Sequence, residues 1–249
     1  MKKIHSNFLK LAFNLAKINL GKTKNNPSVG CVVVKDNSVI SSGFTSINGR
    51  PHAEFNALKK KINFNNSDLY TTMEPCTHFG LTAPCTDIIK RKGIKRVFYS
   101  FNDNDQRTAY KAKKILSIKR IKSKKIFIDS YKDFYNSYFA IKNKKAPFVD
   151  AKLAISKDYL TVNRHFKWIT NLLSRKRTHL LRSQYDCILS TSKTINKDNA
   201  LLNCRLNGFD HNKPDLIIID INQKIKYIQI CIHCTAGELP ASVQTIYIV

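Results

Sequence analysis

Four residues in one short span could do chemistry together. His52 and Glu54 stand two apart in RPHAEFNAL (50–58). Cys76 and Cys85 each follow a proline in MEPCTHFGLTAPC (73–85), with eight residues between them. A catalytic zinc takes about three protein ligands from His and Cys and keeps one position open for water. His52, Cys76 and Cys85 supply those three. Water at such a centre loses a proton near neutral pH, and Glu54 is placed to handle that proton without binding the metal. At the start of a helix, residues two apart can both reach the space beyond its end. Pro75 and Pro84 fix the backbone ahead of each cysteine. This predicts that each thiol sits near a helix start, where the dipole favours thiolate over thiol.

The elements that must position these residues are legible as an alternation of strands and helices. The N-terminal run predicts an amphipathic helix with a stripe of Phe8, Leu11, Ala12 and Leu15, ended by Gly21. VGCVVVKDNSVISSG (29–43) reads as a hairpin around Asp36, Asn37 and Ser38. A helix starts near Pro51, a strand covers 68–73, and a helix from Pro84 is stopped by Gly93. Strands are expected over 95–100 and 125–129, and helices over 107–117 and 131–142. The last helix carries Tyr131, Phe134, Tyr135, Tyr138 and Phe139, which read as packing. The polar stretch NKKAPF (143–148) marks a boundary between a domain at 1–145 and another at 146–249. The second repeats the α/β pattern: strands over 149–156, 186–191 and 216–221, and a helix over 171–182.

Composition narrows the class. The chain has 249 residues, 43% of them hydrophobic, with no apolar run of membrane-spanning length. The lysines and asparagines interrupting the first helix argue against a signal peptide, so a cytoplasmic protein is expected. Seven cysteines there point to metal or catalysis before disulfides. The net charge of +26 would suit a polyanion. The lysines are spread through every segment without a nucleic-acid-binding motif, so nucleic acid is not the expected partner. The same field would draw in a small anionic substrate.

His-x-Glu with two Pro-Cys steps has the form of the zinc-deaminase signature, which carries two residues between its cysteines rather than eight. The insert THFGLTAP, with NPSVGCVVVKD (26–36), GRPHAEFNAL and EPCTHFGLTAPCTDII, resembles the RibD family. Those are the bifunctional deaminase/reductases of riboflavin biosynthesis. The resemblance implies a cytidine-deaminase-like three-layer α/β/α domain. It also implies hydrolytic deamination of 2,5-diamino-6-(5-phosphoribosylamino)pyrimidin-4-one to 5-amino-6-(5-phosphoribosylamino)uracil. One Zn2+ would sit on His52, Cys76 and Cys85, Glu54 would carry the proton, and Asn26 and His78 would bind substrate. PFVDAKLAIS, KWIT (167–170) and LLRSQYDCILSTSKTINKDNALLNCR (180–205) resemble the start of that family's reductase domain, which is dihydrofolate-reductase-like and uses NADPH. The likeness places Trp168, Thr194 and Asp198 on cofactor positions, and Arg182, Leu202 and Arg205 on reductase-substrate positions.

The chain departs from the family pattern in several places. Leu81 stands where the insert usually has a basic residue for the substrate phosphate, leaving Arg50, Lys22 or Lys24 as candidate replacements. Tyr159 replaces a glycine, and Phe166 a small polar residue. The likeness fades after about residue 220, and the chain stops about a hundred residues short of a full domain of this kind. An incomplete reductase domain is therefore expected, either poorly stable alone or completed by a partner chain such as a second copy, and without NADPH-dependent reduction. Cys231 and Cys234 form a C-x-x-C without a second pair, which is weak as a metal site. Two other functions are compatible with the residues: a zinc deaminase acting on a nucleic-acid base, and a non-catalytic zinc-binding relic. The presence of Glu54 argues against the relic.

Overall fold

The computed structural model describes residues 2–144, 147–161, 168–209, 214–222, 224–225 and 245–248. Phe166, Cys231 and Cys234 lie outside them. Two compact units divide the chain, Met1–Asn143 and Lys144–Val249.

In the first unit, helix α1 (Lys2–Ala16) leads into the hairpin of β1 (Gly30–Lys35) and β2 (Ser38–Phe44). Asp36 and Asn37 turn the hairpin with φ of 47° and 60°, the left-handed pair that matches strand twist. Then follow α2 (Ala53–Leu58), β3 (Asp68–Met73), α3 (Cys85–Arg91), β4 (Arg96–Phe101), α4 (Ala112–Ile118), β5 (Lys122–Lys125) and α5 (Asn136–Lys144). The sheet order is β2-β1-β3-β4-β5. β1 runs antiparallel to β2 and β3, and β3, β4 and β5 run parallel. β3 is buried at every position, as a central strand covered on both faces must be.

Two glycines show how the layers close. A Cβ on Gly30 would lie 1.9 Å from the Ala12 carbonyl oxygen of α1. One on Gly43 would lie 2.4 Å from the Ala57 nitrogen of α2. Gly43 pairs with Cys31, the neighbour of Gly30, so the two glycines face opposite sides of the sheet. Helices α1 and α2 therefore cover opposite faces, giving the expected three layers.

Several elements differ from the sequence reading. Of the expected stripe on α1, Ala12 is buried and Phe8 and Leu15 pack against the core, but Leu11 is exposed and Leu9, Phe13 and Ala16 complete the buried face. The close approach at Gly30 turns the small residues Ala12 and Ala16 onto the sheet, rotating the stripe. Helix α4 begins at Ala112, not at 107, because a buried carboxylate described below holds the preceding amides in turns. β5 ends at Lys125, where 125–129 was expected. The Ile126 amide still donates to the Tyr99 carbonyl, but Ile128 then turns into the core. The apolar run marks core closure rather than strand. Helix α5 starts at Asn136, with Tyr131, Phe134 and Tyr135 in the turns ahead of it. Their packing role holds: Tyr135 is buried, and its ring meets Phe101 edge-on.

The second unit contains β6 (Phe148–Ala151), α6 (Leu172–Arg182), β7 (Cys187–Thr191), α7 (Ser192–Asp198), β8 (Asp215–Ile219) and β9 (Thr245–Ile248). Its sheet, β6-β9-β7-β8, is parallel throughout. β6 is half the length expected from 149–156. The side chains of Asn171 and Thr191 cap α6 and α7. Ile188, Ile195 and Leu202 form the buried centre. Tyr159 holds φ of 63° in a turn closed by its amide to the Ser156 carbonyl, a conformation that glycine adopts without strain. Among the described residues, no helix is long and apolar enough to cross a membrane.

Two substitutions test this packing. Gly30→Ala must push α1 off the sheet and should cost about 1–3 kcal/mol in urea unfolding followed by far-UV circular dichroism; an unchanged midpoint would contradict the close approach. Tyr159→Gly relieves a left-handed residue and should stabilise the second unit by about 1 kcal/mol in the same assay.

Candidate metal centre and catalytic cavity

The trio assembles from three different elements. His52 is the N-cap of α2 and keeps an extended backbone, so its ring leads the helix. Glu54 lies in the first turn of α2 and is buried. Cys85 opens α3. Cys76 stands in the loop after β3, so its own backbone does not begin a helix as expected. Its sulfur nevertheless reaches one. The Cys85 amide donates to Cys76 Sγ at 3.2 Å, and the Thr86 amide to the Cys76 carbonyl at 3.3 Å. The intervening insert loops out and returns to the same point.

His52 Nδ1 lies 3.6 Å from Cys76 Sγ and 3.4 Å from Cys85 Sγ. The three donor atoms all fall within 4.8 Å of one another, in the one such group found among the described residues. A tetrahedral centre with metal–nitrogen and metal–sulfur bonds of about 2.0 and 2.3 Å separates N from S by about 3.5 Å. The donor set and its spacing fit zinc. Cys76 is held well toward thiolate by hydrogen bonds from Cys85 and His52, against the opposing effect of burial. Its bond to Cys76 raises the His52 pKa.

Glu54 sits beside the trio, with Oε2 3.4 Å from Cys85 Sγ. Burial pushes its carboxyl up to about 7, and the negative Cys76 adds to the rise. A carboxyl that titrates near neutrality next to a metal trio can take up and release a proton.

A cavity opens over these groups. Asn26 and His78, both expected from the sequence, line it with His52, Glu54 and Cys76. Asn26 packs against Gly49, where a Cβ would fall 2.4 Å from its Nδ2. His78 Nδ1 lies 2.9 Å from the Thr108 hydroxyl. Of the three basic residues raised as replacements for one at 81, Arg50 lines the cavity, while Lys22 and Lys24 do not.

The sequence reading missed further residues that line the cavity: Glu74, Asp103, Asp105, Arg107, Tyr138 and Lys142. β3 and β4 are parallel and end in register at Met73 and Phe101, so the segments after them are neighbours. The polar run NDNDQRT (102–108) beyond a parallel strand's carboxyl end was the available signal. Glu74 organises that run. Its carboxylate accepts the Asn102 side-chain amide at 2.7 Å and the backbone amides of Asp103, Tyr110 and Ala112 at 3.2–3.3 Å. The Tyr138 hydroxyl donates to Asp103 at 2.9 Å, and burial raises the Asp103 pKa.

In the second unit, Arg182 and Arg205 both reach Asn203, one at its carbonyl and the other at its side-chain oxygen. Leu202 is buried with Ile188 and Ile195. Thr194 and Asp198 lie near opposite ends of α7. Trp168 carries the Arg175 guanidinium over its ring at 4.6 Å.

Residues 2–101 match the cytidine and deoxycytidylate deaminase zinc-binding region, and residues 147–231 match the RibD C-terminal domain. The riboflavin biosynthesis protein RibD of Aquifex aeolicus is 34% identical over 229 residues, covering 88% of this chain and 63% of that protein. That of Escherichia coli is 30% identical over 88% of this chain and 64% of its own length. Both units thus resemble the RibD family. A diaminohydroxyphosphoribosylaminopyrimidine deaminase/5-amino-6-(5-phosphoribosylamino)uracil reductase from Thermotoga maritima superposes with a TM-score of 0.82. It shares 27% identity over 99% of this chain and 81% of its own. Acinetobacter baumannii RibD gives 0.78 at 25% identity, over 100% and 81%. The RibD likeness extends through the second unit, consistent with a dihydrofolate-reductase-like fold suited to NADPH. The chain spans somewhat less than two thirds of the length of the first curated RibD relatives it matches.

Elemental analysis should find one zinc per chain. Outer partners of zinc ligands alone are worth about 10–100-fold in affinity. His52→Ala, Cys76→Ala and Cys85→Ala should each weaken zinc binding by more than that, and retention of zinc by any of them would remove that residue from the site.

Proposed function

We propose that the first unit hydrolytically deaminates 2,5-diamino-6-(5-phosphoribosylamino)pyrimidin-4-one to 5-amino-6-(5-phosphoribosylamino)uracil. The observation that carries this reading is the buried Glu54 carboxyl, raised to about 7 beside the His52, Cys76 and Cys85 trio inside a cavity. Zinc, held by those three, would supply an acidified water as nucleophile. The rest falls to the protein. Glu54 takes one proton from that water and passes it to the pyrimidine ring nitrogen, then takes the proton of the hydroxyl now on the ring carbon and delivers it to the departing ammonia as the C–N bond breaks and the carbonyl forms. Burial keeps the carboxyl close to its midpoint, so both transfers cost little. Asn26 and His78 hold the substrate against the trio. The Glu74-bound loop keeps Thr108 against His78 and Asp103 at the cavity.

For the second unit we propose a nucleotide-type site on the RibD C-terminal fold, with Trp168, Thr194 and Asp198 toward NADPH. Arg182 and Arg205 would face a phosphorylated sugar, with Leu202 shaping the wall from the core. The family relationship favours a small pyrimidine over a nucleic-acid base, and a biosynthetic enzyme of the cytoplasm.

Glu54→Gln keeps the shape of the side chain and removes its proton. It should retain zinc and lose ammonia release by about 10²–10⁴-fold. Retained turnover would take Glu54 out of its role, and loss of zinc would make it a structural residue.

A further inference from the structure

We propose that Arg50 binds the phosphate monoester of the deaminase substrate, taking the place of the basic side chain that the insert lacks at Leu81. This rests on the deaminase reading above. Three cationic side chains line the cavity: Arg50, Arg107 and Lys142. Two are already matched. Arg107 gives Nε and Nη2 to the Asp105 carboxylate at 2.9 and 2.6 Å, and Lys142 Nζ lies 3.7 Å from the same group. Arg50 makes no ion pair among the described residues. Its Nη1 instead donates to the Thr82 hydroxyl at 2.8 Å, which ties it to the insert between the two cysteines. An arginine anchored by one neutral bond keeps its charge and its other donors for an anion.

The insert leaves a place for that anion. A Cβ on Gly80 would stand 3.5 Å from Arg50 Nη2 and 3.6 Å from His78 Nε2. The φ of Gly80 is outside the left-handed region, so its backbone does not require glycine. What the missing side chain does is leave open a point between two nitrogens. The Thr108 hydroxyl occupies His78 Nδ1 at 2.9 Å, so the other ring nitrogen, Nε2, is the one that faces this point beside the guanidinium. The neighbouring Leu81 is 88% exposed and offers no charge. Arg50 also lies two residues before His52. A ligand bound to both would have its anionic end at the insert and its ring toward the trio. Guanidinium forks suit a phosphate with two acceptor oxygens.

The test is steady-state ammonia release by the full chain, on the phosphoribosyl pyrimidine and on its dephosphorylated counterpart. Arg50→Ala should raise KM for the phosphorylated substrate by about ten- to a hundredfold, the span of one hydrogen bond to a charged group. KM for the dephosphorylated one should shift less than about twofold, since it lacks that bond. Gly80→Ala places a methyl group at ordinary contact distance, so it should fold and raise KM for the phosphorylated substrate alone. Leu81→Lys in the Arg50→Ala background should recover most of the loss. Equal KM increases for both substrates, or none, would overturn the assignment. Calorimetry with ribose 5-phosphate and ribose reads the site without turnover. Ribose 5-phosphate should lose affinity in Arg50→Ala by the same factor, and unchanged affinity would overturn the proposal. No ammonia release by the unaltered protein, together with this loss in Arg50→Ala, would overturn the deaminase reading and leave the anion site standing.

Discussion

The hydrogen bond from the Cys85 amide to the Cys76 sulfur holds the site together. It joins the loop that leaves β3 to the first residue of α3. It closes the insert into a ring and directs a backbone donor at a sulfur. A thiolate in a buried setting is costly unless donors face it. Here the Cys85 amide and thiol and the His52 ring do so, and Cys76 is stabilised as the anion. The metal donors are thus arranged by the backbone around them.

Glu54 shows the opposite use of burial. Its bond with the Cys85 thiol and the nearby His52 do not offset desolvation, so the carboxyl rises toward neutrality. Glu74, in the same cavity, is also buried, but it accepts three backbone amides and an asparagine side chain. The two acids lie on one cavity and do different work. One is raised by burial and can exchange a proton, while the other is held by four donors and sets the course of a loop.

The sheet explains why these groups meet. β3 and β4 end in register, so Glu74, Cys76 and the 102–108 run leave the same edge. Helix α2 reaches that edge because Gly43 lets it lie against β2, and α1 holds the other face through Gly30. The aromatic side chains before and within α5 seal the unit, and Tyr138 among them extends a hydroxyl to Asp103. Packing and site are continuous at that residue.

Residue types and local spacing determined the trio, its neighbouring acid and the strand at 68–73. They also determined the hairpin, where Asp and Asn tolerate positive φ. Each of these depends on chemistry carried within a few residues. The place of Leu11 on α1, the start of α4 and the end of β5 were misread, because each was decided by a contact distant in sequence. Ala12 meets Gly30, Glu74 meets Ala112, and Ile128 meets the core. The rest of the cavity lining was not legible for the same reason. The parallel register of β3 and β4 brings Asp103 and Arg107 to the cavity of the metal trio, and α5 brings Lys142. The sequence offered three candidates for the missing basic residue. Only the returning insert, which sets Thr82 against its guanidinium, separates Arg50 from Lys22 and Lys24. Spacing along the chain specifies which groups can react, and closure of the fold specifies which of them face the same space.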